Sequence, residues 1–164
     1  MRFNLRSSFL AALAFLAALS GATSFAADSN FTSQKGSWIV NKAESKIPPD
    51  AFKSPESPMV VSDDNGQILK FIVYEMNANT GLQPAIPYEG AYDGKFYPYG
   101  KDGERSFTHL SPTSFRSVAQ SPLGWSLNEV VTFAANNTKM RVEGKYTGKD
   151  GKVSDYVQVW DKLQ

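Results

Sequence analysis

The sequence contains no cysteine and only one histidine among its 164 residues. Disulfide scaffolds, thiolate zinc sites, iron–sulfur clusters and cysteine nucleophiles all require thiols, so these classes are excluded. One histidine cannot form a multi-histidine metal site, and we expect neither a metal nor a cofactor. The 17 basic and 16 acidic residues are nearly balanced and form no basic block. Because nucleic-acid affinity depends on clustered Lys and Arg, no nucleic-acid partner is predicted.

Long hydrophobic runs are also scarce, since the one uninterrupted apolar run covers residues 9–19. Arg2 and Arg6 precede it and the small-residue stretch 20–24 follows, which is the layout of a secretory signal peptide. About 20 apolar residues are needed to cross a bilayer, so the run predicts no transmembrane anchor. We expect residues 1–26 to be removed by a cut before Ala27. The predicted location is therefore periplasmic or secreted.

Outside that run, no segment of ten or more residues shows a clean helical period. Short stretches rich in Val, Ile, Tyr, Phe, Thr and Trp alternate instead with turn chemistry, which is typical of an antiparallel all-β domain. The turn signals are Asp64-Asn65-Gly66, Asp93-Gly94, Asp102-Gly103 and Asp150-Gly151. Ten strands are predicted, at residues 38–41, 59–62, 67–76, 88–92, 96–99, 106–110, 115–119, 124–133, 139–147 and 153–160. Residues 41–54 could hold at most one or two helical turns, because Pro48 and Pro49 limit them.

Alternation is clearest in the last three strands. In residues 124–133, the side chains of Leu127, Val131 and Phe133 share one face, and Glu129 is the exception on it. Tight turns between consecutive strands favour an up-and-down meander barrel of about 8–10 strands over a two-sheet sandwich. We expect residues 27–35 to form a flexible leader, ordered only through docking, and residues 36–164 to form a single β-barrel domain.

Three segments carry a resemblance to a known family. They are residues 36–46 (GSWIVNKAESK), residues 88–98 (YEGAYDGKFYP) and the final hairpin, with GKDGK at 148–152 and VWDK at 159–162. The chain resembles a family of small exported bacterial lipocalin-like proteins of unknown function, which share a G-x-W first strand and a Y-D-G-K-x-Y-P hairpin. The resemblance implies a β-barrel and assigns no chemistry. It also implies structural roles for Gly36 and Trp38, with the tryptophan plugging one end of the barrel, and for Asp93 and Gly94 in the hairpin.

A barrel that binds a small apolar molecule would line its lumen with aromatic side chains. The predicted ligand-binding residues are Tyr74, Tyr92, Tyr97, Phe107, His109, Phe115, Arg116 and Trp125. The alternative is that the same rings fill a dry core, as happens in many small barrels.

His109 and Arg116 are the two members of this set with polar chemistry. His109 alternates with Phe107 on one strand face, but no G-x-S-x-G or comparable nucleophile element accompanies it. Arg116 could meet a carboxylate or phosphate at the barrel mouth, or could be a solvated strand charge. No catalytic residue is predicted.

Three functions remain open from the sequence. The first is a binding module for a small, largely apolar ligand in the lumen. The second is a solid barrel acting as a cell-envelope protein-interaction or structural module, with residues 47–58 or 81–88 as exposed loops that bind a protein partner. The third and least supported is an isomerase or hydrolase in the barrel mouth that uses His109 with Tyr or Asp, so we expect binding rather than catalysis.

Overall fold

The computed structural model describes residues 31–48 and 57–164 and shows ten β-strands. The predicted signal peptide, residues 27–30 of the leader and residues 49–56 lie outside the described residues. The strands are β1 (Gly36–Val40), β2 (Met59–Asp64), β3 (Ile68–Asn77), β4 (Gly81–Ala91), β5 (Tyr97–Tyr99), β6 (Gly103–Ser111), β7 (Ser114–Gln120), β8 (Ser126–Phe133), β9 (Lys139–Thr147) and β10 (Val153–Leu163).

Each strand pairs antiparallel with its neighbour in the chain, and β1 also pairs with β10. The sheet therefore closes into a barrel whose strand order is the sequence order. The predicted up-and-down barrel of about 8–10 strands is confirmed. No helix forms in residues 31–48 and 57–164, and so none there is long and apolar enough to cross a membrane.

Period-2 alternation separates a buried inner face from an exposed outer face. In β8, residues 127, 129, 131 and 133 are buried, whereas 128, 130 and 132 are exposed. In β7, the inward Phe115, Ser117 and Ala119 are buried and Arg116 is exposed. The Glu129 side chain therefore points into the interior, on the same face as the apolar residues of its strand.

The predicted turns lie between strands, except that Asp64 is the last residue of β2 and Gly103 is the first residue of β6. Gly66, Gly94 and Gly151 have positive φ angles of 79°, 76° and 79°, which glycine adopts without the steric cost of a Cβ atom. Asp93 accepts a hydrogen bond at Oδ1 from the Lys95 backbone N–H, 3.0 Å away. The Gly94 N–H donates to the Phe107 carbonyl, so this turn is attached to β6.

The hairpin of β3 and β4 is longer than predicted. Residues 81–87 were expected to be loop because they contain Pro84 and Pro87, yet they form the first two thirds of β4 and pair with β3. Prolines are tolerated at strand edges, and β5 contacts β4 in register at only one pair, Tyr88 and Tyr99. The second candidate loop, 81–88, is therefore strand, and only residues 47, 48, 57 and 58 of the first, 47–58, are described.

One end of the barrel is closed by residues 31–35. The Thr32 N–H donates to the Pro112 carbonyl at 2.8 Å, and the Asn137 side-chain amide donates to the Ser33 carbonyl at 2.9 Å. Gln34 is 3% exposed. The described part of the expected flexible leader is thus docked over the turns β2–β3, β6–β7 and β8–β9. We call this the closed end, and the opposite end, where β4, β6, β8 and β10 begin, the mouth.

Candidate functional site

A cavity of about 750 Å³ extends through the barrel interior to the mouth. Its wall is mostly apolar. The larger apolar side chains on it are Val40, Met59, Phe71, Val73, Ile86, Phe107, Phe115, Leu127, Val131, Met140, Val142 and Trp160. Ligand sites in proteins are typically apolar concavities of 300–1,000 Å³ with a few placed polar groups. The cavity is of the size and character of such a site.

The mouth is formed by the turns that join β7 to β8 and β9 to β10. Trp125 is half-buried on the wall and Leu123 is 53% exposed beside it. The charged side chains of Glu75, Lys149, Asp150 and Lys152 lie there too, all exposed. An apolar molecule entering the cavity would pass this mixed rim.

A cluster of aromatic rings forms part of the cavity wall and continues behind it. Phe71 and Tyr88 are stacked with centroids 5.0 Å apart, and Phe107 meets Tyr88 and Phe115 edge-to-face at 5.1 and 5.3 Å. Edge-to-face and offset geometries are the favoured ones for aromatic pairs. The cluster therefore presents a rigid apolar surface to the lumen.

The closed end is filled by side chains that satisfy one another. The Trp38 indole N–H donates to the Gln34 carbonyl at 2.7 Å, and Trp38 is fully buried. The Gln34 backbone N–H donates to Asp64 Oδ2 at 2.6 Å, and the Tyr92 hydroxyl donates to Asp64 Oδ1 at 3.1 Å. Burial raises the pKa of Asp64 to about 6, although these donors oppose the rise. This end is a packed plug.

His109 belongs to the plug and does not line the cavity. Its ring stacks on Tyr92 with centroids 4.1 Å apart, Phe31 packs edge-on against it at 4.7 Å, and Nε2 lies 3.0 Å from the Gly66 carbonyl oxygen. Among these partners the one side-chain hydroxyl is that of Tyr92, which donates to Asp64 Oδ1, and none is a carboxylate. The geometry gives no support to a His109-based hydrolase or isomerase.

A buried ion pair lies on the cavity wall. Arg105 and Glu129 are in direct contact through Nη2 and Oε2, with side chains 12% and 3% exposed. The other Glu129 oxygen, Oε1, accepts from the Tyr156 hydroxyl, and Arg105 Nε donates to Ser117 Oγ at 2.7 Å. The guanidinium also lies 5.0 Å from the Tyr99 ring centroid and 5.1 Å from that of Phe107. Charge, hydrogen bonds and ring faces together fix Arg105 in place.

Strand register explains how this cluster fits. Glu129, Gly144 and Tyr156 are directly opposed across β8, β9 and β10. A Cβ atom on Gly144 would lie 2.5 Å from the Asn128 carbonyl oxygen and 3.1 Å from Glu129 Cγ. Gly144 therefore leaves the space in which Tyr156 reaches Glu129 across the middle strand.

Ionisation in the cluster is set by mutual proximity. Burial works to lower the pKa of Arg105, but Glu129, Tyr99 and Tyr156 together outweigh burial and raise that pKa above its usual value. Burial, reinforced by Glu129, raises the pKa of Tyr156, which keeps the phenol protonated as a donor. The cluster therefore holds one positive and one negative charge, with no net charge.

Two polar atoms on the cavity wall, Ser57 Oγ and Trp160 Nε1, are buried and have no hydrogen-bond partner among residues 31–48 and 57–164. Buried polar atoms usually have a hydrogen-bond partner, so each such atom calls for an explanation.

Among residues 31–48 and 57–164, no group of three or more His, Asp or Glu side chains is placed to hold a metal ion.

Comparison with known proteins identifies no relative that would assign a function. No family model and no curated protein matches the chain. Among solved structures, a redesigned beta barrel is similar at 15% identity over 80% of this chain and 92% of that chain, with a TM-score of 0.46. A putative beta-lactamase from Burkholderia vietnamiensis is similar at 8% identity over 78% and 92%, with a TM-score of 0.37. These likenesses are too distant to bear on function.

The eight predicted ligand-binding residues fall into different places. Phe107, Phe115 and Trp125 line the cavity. Tyr92 and His109 lie in the plug, and Tyr97 packs against Gly90 and bonds Asp93 from its hydroxyl at 3.2 Å.

Tyr74 and Arg116 are the remaining two, and neither lines the cavity. Tyr74 sits at a β-bulge in the β3–β4 hairpin. Arg116 is exposed on the outer face, because it neighbours the inward Phe115 and strand side chains alternate. It is thus a solvated strand charge.

Arg105, Glu129 and Gln158 are polar wall residues that the sequence did not single out. The signal for Glu129 was present, because a carboxylate interrupts an otherwise apolar strand face. Arg105 gave no comparable signal, since it precedes the strand predicted at 106–110.

Proposed function

We propose that this protein is an exported lipocalin-like binding protein that holds a small, largely apolar ligand in its barrel cavity. The observation that carries the proposal is the apolar cavity of about 750 Å³, which is closed at one end by the plug and reaches the surface at the other. Burying an apolar molecule there would yield roughly 25 cal/mol per Å² of surface removed from water, less the cost of immobilising it.

The cavity favours this function over the alternative of a filled barrel that acts only through its surface. Binding is therefore the function that the geometry supports best.

Dye binding tests the proposal. N-phenyl-1-naphthylamine is neutral and its fluorescence rises in apolar surroundings, so we expect saturable binding of one dye per protein. The variant Val131→Phe would fill part of the cavity from the inner face of β8, and we expect it to weaken binding about 10-fold or more. Val130→Phe is the matched control, because Val130 is the outward neighbour at 38% exposure.

Either of two results would contradict the binding function. One is a folded wild-type protein that does not take up the dye. The other is equal affinity in the Val131→Phe and Val130→Phe variants, since the dye would then bind outside the lumen.

Export is a separate part of the proposal and rests on residues 1–26 alone. We expect the full chain, expressed in a bacterial host, to be recovered from the periplasm or medium as residues 27–164. The intact mass of the purified protein checks this. An unprocessed chain retained in the cytoplasm would remove the export proposal without affecting the cavity.

A further inference from the structure

The chemical class of the ligand is restricted by the charges inside the cavity. Among residues 31–48 and 57–164, six charged side chains line it, and the structure places Glu75, Lys149, Asp150 and Lys152 in solvent at the mouth. Arg105 and Glu129 are the two in the interior, and they are paired with each other. The interior therefore has positive and negative charge in equal measure.

Glu129 is fully committed to this pair. Its two carboxylate oxygens contact Arg105 and the Tyr156 hydroxyl. Gly144 provides the space for these contacts, since a Cβ there would collide with the backbone of β8. If either side chain moved out of the pair, the other would remain as an unpaired buried charge, which is strongly unfavourable.

An anionic head group would face two costs at this wall. Beside the intact pair, it would place a second negative charge near Glu129 in a poorly screened environment. If it replaced Glu129 on Arg105, it would leave Glu129 buried and unpaired. An uncharged ligand incurs neither cost.

A neutral acceptor can still be recognised. A guanidinium carries five N–H donors. Arg105 contacts Ser117, Glu129 and Tyr99, and one N–H to each of them leaves further donors. A ketone, ester or amide oxygen on an apolar body could accept from the remaining donors.

We propose that Glu129 is a specificity-determining residue, which neutralises Arg105 so that the cavity accepts uncharged apolar ligands bearing an acceptor oxygen and rejects carboxylates of the same shape. This inference rests on the proposed binding function and adds the ligand class to it.

The test uses 2-acetylnaphthalene and 2-naphthoate, which have nearly the same shape and differ in charge. Their affinities are measured by displacement of the bound dye at pH 8, where naphthoate is ionised. We expect wild-type protein to bind the ketone about 10-fold or more tightly than the carboxylate. In Glu129→Gln, which frees the charge of Arg105, we expect the preference to shift toward naphthoate by about 10-fold or more.

Glu75→Gln is the matched control, because it removes a carboxylate from the exposed mouth and leaves the interior pair intact. We expect its preference to stay within about 2-fold of the wild type. Thermal melting of each variant establishes that it is folded. If Glu129→Gln does not fold, the wild-type preference for the ketone over the carboxylate is the result that tests the inference.

Equal or tighter binding of naphthoate by the wild type would overturn the inference and leave the binding function standing. A folded Glu129→Gln variant with the full wild-type preference would also overturn it, as would an equal shift in Glu75→Gln. If the wild type binds the dye but neither 2-acetylnaphthalene nor 2-naphthoate, the proposed ligand class is wrong. If it binds no dye either, the binding function fails with it.

Discussion

Inward-facing strand residues pack differently at the two ends of the barrel. At the closed end, Trp38, Asp64 and Tyr92 interlock with residues 31–35, and the indole N–H of Trp38 has its acceptor. Toward the mouth the inner faces enclose a cavity, and the indole N–H of Trp160 finds no acceptor in the part of the chain that the structure describes. The closed end is packed and hydrogen-bonded, which stabilises the fold, while the open half encloses the cavity in which we propose that a ligand binds.

The largest effect should come from the closed end. Trp38→Ala removes a fully buried indole, and truncations of this kind cost about 3–5 kcal/mol. At about 4 °C per kcal/mol, we expect the melting temperature to fall by ten degrees or more. The half-buried Trp125 at the mouth is the matched control, and Trp125→Ala should cost much less. A shift under two degrees for Trp38→Ala would contradict the structural role.

The second prediction concerns pH at the same end. Because burial raises the pKa of Asp64 from 3.8 to about 6, the native state keeps a proton that the unfolded chain has lost between these values. The contribution of Asp64 to the free energy of unfolding is therefore fully present below about pH 4. It falls by on the order of 2–3 kcal/mol as the pH rises to 6.

Chemical denaturation at several pH values, compared between wild type and Asp64→Asn, checks this. We expect the wild type to lose stability relative to the variant between pH 4 and 6, while other carboxylates cancel in the difference. A constant difference across that range would contradict the assignment.

The third prediction moves to the open half. Gly144→Ala places a Cβ atom against the Asn128 carbonyl oxygen and Glu129, and overpacking of this kind costs about 1–3 kcal/mol. Gly148→Ala is the control, since its new Cβ would meet Asp150 Oδ1, the end of an exposed side chain that can move. Urea unfolding should show a loss for Gly144→Ala that clearly exceeds that for Gly148→Ala. Equal losses would mean that the space over Gly144 is not needed.

The smallest expected effect tests the boundary between the two regions. His109 packs in the plug and does not line the cavity, so His109→Ala should change dye affinity by less than about 2-fold. Phe107→Ala, which alters the wall from the same strand, should change it more. A large loss of affinity in His109→Ala alone would place the binding site at the closed end.

The sequence predicts much of this barrel because alternation and turn chemistry are local. Every predicted strand has its counterpart, and Asn65-Gly66 and Asp150-Gly151 lie in turns as expected. The start of β4 was missed because Pro84 and Pro87 argue against a strand, and their tolerance depends on where β5 ends. That is a property of the assembled sheet.

The candidate site was harder to predict because alternation gives the face of a residue but not its depth. Phe107 and His109 were correctly placed on one face, yet two residues along β6 separate the cavity wall from the plug. Depth is determined by strand tilt and register, which set the row Glu129, Gly144 and Tyr156 across three strands. Glu129 was visible as an exception on its face, but its partner Arg105 comes from a strand 24 residues earlier.

The proline-containing start of β4 has a consequence for behaviour at high concentration. Closing the sheet leaves few free edges, but one lies where β4 extends beyond β5, and exposed strand edges invite pairing between molecules. The Pro87 carbonyl faces β5, where it accepts from the Gly100 N–H, and the N–H and C=O of a strand residue point the same way. Its missing N–H therefore lies beside the point where β5 ends, so a strand that paired with the start of β4 would find one donor fewer there. The two prolines make this stretch a poor template for aggregation.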